Sequence, residues 1–279
     1  MALIFKADNH EYSSVGEEEQ IDWISATSFI GFFKQDFDAD KQAEKSAKNK
    51  KSKWYGLTKE EILNAWASEA KRATDLGTWY HNQREEDLCS LNTIVREGVE
   101  VPVYPPVVID GLKYAPSQKL GEGVYPEHFV YLKSFGICGQ SDFTEVITQK
   151  VNIDDYKTNK EIVKESYKNW EGKSQKMKYP VAHLDDCNFN HYALQLSLYL
   201  YIILRHNPKL EPGKLTLRHI KFEKAGEDKY GYPVAALDAE GNPIVEEIVS
   251  YEVPYLKDEV IALLDYLQEF RPKFKKKKK

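Results

Sequence analysis

Hydrophobic and polar residues alternate from Val151 to Lys157, with Val151, Ile153, Asp155 and Lys157 in the odd positions. A period of two predicts a strand that carries all four on one face. The preceding run, Ile137 to Thr148, is rich in β-branched residues, and Thr148-Gln149-Lys150 predicts a tight turn between the two strands. Such a hairpin lays Asp142 beside Asp155. Tyr125 to Tyr131, which contains Glu127, predicts a further strand entering the same sheet. Helical spacing appears elsewhere. Thr58 and Glu61 form a capping-box pattern ahead of Ile62, Trp66, Ala70 and Ala73. A second helical segment then carries Gly77, His81 and Glu85 at intervals of four. Tyr192 to Leu204 is apolar nearly all round, which predicts a helix buried against the sheet. Beyond residue 205 the pattern predicts a strand at Lys214 to Phe222, a hairpin over about 230–252 turning at Glu240-Gly241-Asn242, and a last helix at Tyr255 to Phe270. Together these elements predict an α/β fold, a mixed central β-sheet with the 58–90 helices on one side and the 188–205 helix on the other.

The hairpin brings two carboxylates and one amine together. Asp142 and Asp155 are hard oxygen ligands of the kind Mg2+ or Mn2+ prefers, and the backbone carbonyl of Tyr156 is a further candidate ligand. Protonated Lys157 cannot bind a metal; it is suited to orient an attacking water and to neutralise charge on phosphoryl oxygens. The triplet Asp/Glu-x-Lys occurs four times, at 69–71, 155–157, 171–173 and 227–229, and only the one at 155–157 follows an alternating apolar strand and an upstream Gly-x-x-Asp.

Gly139-Gln-Ser-Asp142 followed by Asp154-Asp155-Tyr-Lys157-Thr158 resembles motifs II and III of the PD-(D/E)xK nuclease superfamily. Gly77-Thr-Trp-Tyr-His81 and Gln195-Leu-Ser-Leu-Tyr199 are similar to the Gly-x-x-x-His and Gln-x-x-x-Tyr elements of its RecB-like branch, which includes phage exonucleases and mitochondrial genome maintenance exonucleases. The four motifs stand in the expected order. The resemblance implies a restriction-endonuclease-like core and a DNA exonuclease of phage-type recombination, replication or repair. It implies His81 as a metal ligand, Glu127 as a ligand or close neighbour of the metal, and Gln195 with Tyr199 supporting Lys157 or the phosphate. It also implies DNA with a free end as substrate and a recombination or replication protein as a possible partner. A structure-specific endonuclease and a catalytically idle DNA-binding subunit are the alternatives.

At 279 residues the chain reads as one domain over 1–272: a helical part at 20–95, a catalytic core at 100–205, strands and a helix at 206–272, and then a basic tail at 273–279. No run approaches the ~20 apolar residues of a membrane helix, and the first residues lack a signal-peptide layout, so a cytoplasmic protein without membrane association is expected. Cys89, Cys138 and Cys187 are 49 residues apart each time, with no Cys-x-x-Cys, which argues against an iron–sulfur or zinc site and for reduced thiols. The net charge of −5 requires any DNA affinity to come from local basic tracks. Two stand out, Lys41 to Lys53, equally readable as disordered, and Lys160 to Lys178, which reads as a mobile substrate-gripping loop with Tyr167 and Trp170 as base-stacking surfaces and Thr158, Lys160, Lys164 and Trp170 as DNA-binding candidates. Thr27 and Ser28, near the start of a predicted helix, suit either N-capping or a DNA end. In His183, Asp185, Asp186, Cys187 and His191, capping of the following helix explains the acids and Asn188 better than a second metal.

Overall fold

The computed structural model describes residues 2–6, 11–15, 21–114 and 117–271. In chain order the elements are β1 (Ala2–Lys6), β2 (Glu11–Val15), β3 (Ile24–Ser25), α1 (Ala26–Gly31), α2 (Ala39–Lys48), α3 (Lys59–Cys89), β4 (Thr93–Arg96), β5 (Val99–Pro102), β6 (Val107–Ile109) and β7 (Leu112–Tyr114). They continue with β8 (Gly123–Leu132), β9 (Ile137–Ile147), β10 (Lys150–Lys157), α4 (Asn188–His206), β11 (Glu211–Phe222), β12 (Lys224–Glu227), β13 (Pro233–Ala235), β14 (Val245–Val253) and α5 (Lys257–Phe270). The central sheet is mixed and six-stranded, and helices flank it.

The hairpin of β9 and β10 organises this sheet. Its strands pair antiparallel from Lys150 with Ile147 to Asp154 with Phe143. The two-residue turn needs positive φ at both positions, and Thr148 and Gln149 adopt 49° and 64° although neither is glycine. Both of their amide N–H groups donate to the Glu122 carboxylate, at 3.1 Å each, which offsets part of the strain. On its other side β10 runs parallel to β11, with Lys157 level with His219, and β14 closes that edge antiparallel to β11.

β9 is longer than its partner. β8 lines it from Ile137 to Val146, while β10 covers only one half of its other edge and β3 pairs parallel with Ile137 and Cys138 in the other half. The sheet therefore forks where β10 leaves β9, at Asp142 and Asp155. A second irregularity coincides with the fork. Ile137 and Val146 both belong to the core packed on α4, as do Tyr125 and Val130 of β8, although strict alternation would send an odd and an even residue to opposite faces. Both strands change face midway, and there lie Asp142 and Glu127, the latter at a φ of 49°.

The α4 side is the main core. Leu194, Leu196, Leu198, Leu200 and Ile202 are fully buried and pack with Val151, Ile153, Leu215 and Leu217 of the sheet and with α1 and α5. The opposite side is covered by α3 through aromatic contacts, including Tyr80 edge-on to Tyr156 with ring centroids 5.6 Å apart. No helix among the described residues is long and apolar enough to cross a membrane.

Several expectations need correction. The two helical segments of 58–90 are one 31-residue helix, capped by Thr58 with the reciprocal Glu61 bond; Gly77 passes through it because tertiary contacts outweigh its ~1 kcal/mol helix penalty. Lys41 to Lys48 lie in α2, which Asp38 caps and Ala43 anchors. The 230–252 hairpin is not one ladder. β13 pairs with β12 and β14 with β11, and only the turn near Glu240 is as expected, organised by the Asp238 carboxylate. A four-stranded sheet, in the order β2-β1-β7-β6, was not foreseen at all. Lys275 to Lys279 lie outside the described residues.

Replacing Thr148-Gln149 by Asn-Gly is expected to stabilise the fold by about 1–2 kcal/mol, because this pair tolerates the left-handed conformation. Urea unfolding measures it, and a loss of stability would show that the Glu122 bonds depend on the native pair.

Candidate metal centre

Three ligand-type side chains meet at the fork. One nitrogen of His81 and one carboxylate oxygen each from Glu127 and Asp142 all lie within 4.8 Å of one another. Each comes from a different element: α3 carries His81 over the sheet edge, and the kinked middles of β8 and β9 present Glu127 and Asp142 side by side. Asp142 Oδ2 also accepts the Tyr156 amide, at 2.8 Å, which ties β9 to β10 beyond their last ladder pair.

The state of His81 follows from its second contact. Nε2 is 3.1 Å from the Tyr156 carbonyl, which can only accept, so Nε2 carries a hydrogen. In the neutral ring Nδ1 then presents a lone pair, 3.5 Å from Asp142 Oδ2. Lone pair facing carboxylate is repulsive without a proton or cation between them. A backbone acceptor fixing the tautomer of a ligating histidine is a common supporting contact in metal sites. The Tyr156 carbonyl, expected as a ligand, here serves His81 instead.

The acids carry the cost of this arrangement. Burial raises Asp142 from 3.8 to about 6, helped by Asp155 and opposed by His81 and Lys157. Burial also lifts Glu127 well above its ordinary value, and Asp142 and Glu85 add to the rise. Asp155 stands outside the three-residue group. Its side chain is 3% exposed and its Oδ2 lies 2.5 Å from Lys157 Nζ, a buried ion pair. For Lys157 the desolvation that would lower its pKa is outweighed by Asp155 and Asp142, and the net shift is upward. The amine therefore holds its proton.

All five groups line one cleft of about 1130 Å3, together with Ser25, Thr27, Ser28, Gly77, Thr158, Gln195 and Tyr199. Its charged lining is acidic, with Asp22, Glu85, Glu127, Asp142 and Asp155 against Lys113 and Lys157, and Glu85 is paired with Lys113. An imidazole and two carboxylates, partly buried and short of positive charge, form a donor set of the kind that binds a divalent cation.

The other expected residues are distributed as follows. Gln195 Nε2 donates to the Tyr199 hydroxyl, at 3.0 Å, so its partner is on its own helix and not Lys157. Tyr199 lies against Gly139, where a Cβ would come within 2.5 Å of its ring, so the glycine of Gly-x-x-Asp makes room for α4. Gly77 likewise admits a neighbour, but it is the Thr158 side chain and not a backbone. The cap of α1 is Ser25, whose hydroxyl accepts from Ser28 N; Thr27 and Ser28 are exposed on the cleft wall. Cys187 occupies the cap position of α4 without a side-chain bond. The acids before it have other partners: Asp185 binds Ser166, Ser174 and Lys176, and Asp186 binds Gln35 and His191. Lys160, Lys164 and Trp170 are exposed, outside the cleft lining.

Tyr192 was read only as packing. Its ring centroid is 4.8 Å from Lys157 Nζ and its hydroxyl donates to Asn159 Oδ1, at 2.7 Å. Asn159 in turn gives its carbonyl to His219 Nε2, at 2.6 Å. The position of Tyr192 two turns before Tyr199 puts it on the correct helix face, but nothing local points to the lysine.

No family model matches the chain, and no curated protein does. A solved structure described as the crystal structure of SSO0001 aligns with 92% of this chain and 80% of its own, at 15% identity and a TM-score of 0.29, a likeness that carries no argument.

The raised Asp142 gives a prediction with a definite sign. A carboxyl whose folded pKa exceeds its unfolded value favours the native state only while protonated, so its penalty grows as pH rises from about 4 to about 6 and then levels off. In EDTA, Asp142→Asn is expected to be more stable than the parent above pH about 6, by on the order of 1–3 kcal/mol, with the gap closing near pH 4. Mn2+ should raise the melting temperature of the parent and not of the variant. A variant less stable at neutral pH would refute the repulsion.

Proposed function

We propose that this chain is a divalent-metal-dependent deoxyribonuclease with a restriction-endonuclease-like core of the PD-(D/E)xK type. The observation that carries the reading is the meeting of His81, Glu127 and Asp142 beside the buried Asp155–Lys157 pair, where the sheet forks. His81, Glu127 and Asp142 would hold Mg2+ or Mn2+, with Asp155 as a further oxygen donor. The cation supplies Lewis acidity toward a phosphate oxygen and lowers the pKa of a bound water.

The chain's own groups have separable tasks. Lys157 keeps its proton and offers a fixed positive charge in a low-dielectric cleft, suited to stabilise negative charge building on phosphoryl oxygens. Asp155 holds that ammonium from below, and the Tyr192 ring holds it from α4. Tyr199, seated on Gly139 and bonded by Gln195, fixes α4 against the strand that bears Asp142. Thr27, Ser28 and Thr158 offer hydroxyls along the wall to a sugar–phosphate backbone. Action from a DNA end, in phage-type recombination, replication or repair and with a protein partner from such a pathway, follows from the motif resemblance.

End-labelled linear DNA and circular DNA, incubated with Mg2+, Mn2+ or EDTA, test the reading. Cleavage of linear substrate is expected with either ion and none in EDTA. Asp155→Asn should abolish it, and Lys157→Ala should lower the rate by about 10²–10³. Activity that survives chelation would remove the metal from the mechanism, and efficient cutting of circles would replace exonuclease by endonuclease. Gln195→Ala, which frees the Tyr199 hydroxyl without touching the acids, should reduce the rate by about tenfold.

A further inference from the structure

The segment between β10 and α4 looks basic in sequence, but four of its six lysines are paired with acids. From Thr158 to Cys187 it holds Lys160, Lys164, Lys168, Lys173, Lys176 and Lys178 against Glu161, Glu165, Glu171, Asp185 and Asp186, six to five. Lys168 pairs with Glu165 at 2.7 Å, Lys173 with Glu171 at 2.7 Å, Lys176 with Asp185 at 2.6 Å and Lys178 with Asp36 at 3.0 Å. Lys164 lies over the rings of Phe189 and Tyr251. A loop built to hold phosphates would leave such ammonium groups free.

What the loop leaves free is aromatic. Trp170 is 91% exposed and Tyr167 76% exposed. Neither is displayed by accident of a slack chain. Asn169 closes the tip: its Oδ1 accepts from Glu171 N and Lys173 N at 2.9 Å each, its carbonyl accepts from Gly172 N, and its amide donates to the Lys173 carbonyl. Gln175 N donates to the Tyr167 carbonyl, and Asp185 holds Ser166 and Ser174 at the base. The loop starts at Thr158, in the cleft wall, one residue after Lys157. Two large rings, presented three residues apart on a bonded turn that follows β10, offer flat apolar faces with little net charge around them.

We propose that the Tyr167–Trp170 loop is a stacking platform for the unpaired bases of single-stranded DNA, so that the enzyme takes its substrate as a single strand or frayed end. The choice of a polynucleotide as the ligand rests on the nuclease reading; the choice of single over double strand rests on the loop. Stacking needs exposed base faces, which a duplex buries, and it does not depend on counterion release. Pre-bonding of the tip spares the ordering cost of binding.

The test uses full-length Asp155→Asn protein in EDTA, with a fluorescein-labelled oligothymidylate of about 20 nucleotides and a duplex of the same length, read by anisotropy. Trp170→Ala is expected to weaken single-strand binding by about five- to a hundredfold, with Trp170→Phe restoring most of it. Lys173→Ala should stay within twofold, and the dependence of affinity on salt between about 50 and about 200 mM should have the same slope with and without Trp170. The proposal is overturned if Trp170→Ala and Tyr167→Ala both bind as the parent does, if Lys173→Ala costs as much as Trp170→Ala, or if the duplex binds as tightly and depends equally on Trp170. Trp170 is almost fully exposed, so its removal does not threaten the fold. Metal-dependent cleavage with Trp170-independent binding sinks this proposal alone, whereas Trp170-dependent binding by a protein that cleaves nothing supports it and sinks the nuclease reading.

Discussion

Three carboxylates, Glu127, Asp142 and Asp155, crowd into a nearly dry fork in the sheet, and their mutual repulsion is the constraint around which the rest is arranged. In water such groups would separate or stay well hydrated; here burial lifts Glu127 and Asp142 above their ordinary ionisation range. The protein holds them in place through backbone it cannot easily move. Two kinked strands fix Glu127 and Asp142, the Tyr156 amide fixes Asp142, and Lys157 partly neutralises Asp155. Sites in which folding stability is given up for a charge arrangement are where ligands with the opposite charge bind.

The two sides of the sheet supply different things to that fork. α4 is almost entirely apolar where it meets the sheet and provides the rigid support, with Tyr199 against Gly139 as its closest approach. α3 is polar at the same level and brings His81 to the Tyr156 carbonyl. Its 31-residue length is what lets a helix that starts far from the fork reach it. A core-packing change in α4 and a polar change in α3 thus act on the same few atoms through different physics.

Charge is distributed in a way that the net value of −5 does not suggest. The cleft is acidic, most lysines of the segment after β10 are paired with acids, and the exposed lysines of α2 sit apart on their own helix.

By itself the sequence determined the local hardware. Period-two alternation located β10 and the direction of Asp155 and Lys157, the turn at Thr148 set the register that puts Asp142 alongside, and the Thr58–Glu61 box began α3 at the correct residue, because each depends on neighbours a few positions away. Tertiary structure alone decided the rest. Glu127 reaches His81 and Asp142 through a face change in β8 that leaves no mark on the residue types, and Gln195 finds Tyr199 because a half-buried amide takes the nearest acceptor the packed helix offers. The lysines from 168 to 178 look basic because a sequence counts charges, whereas folding pairs them with acids two to 142 residues away. Long-range pairing and strand kinks depend on which surfaces meet, and that is settled only when the whole chain has packed.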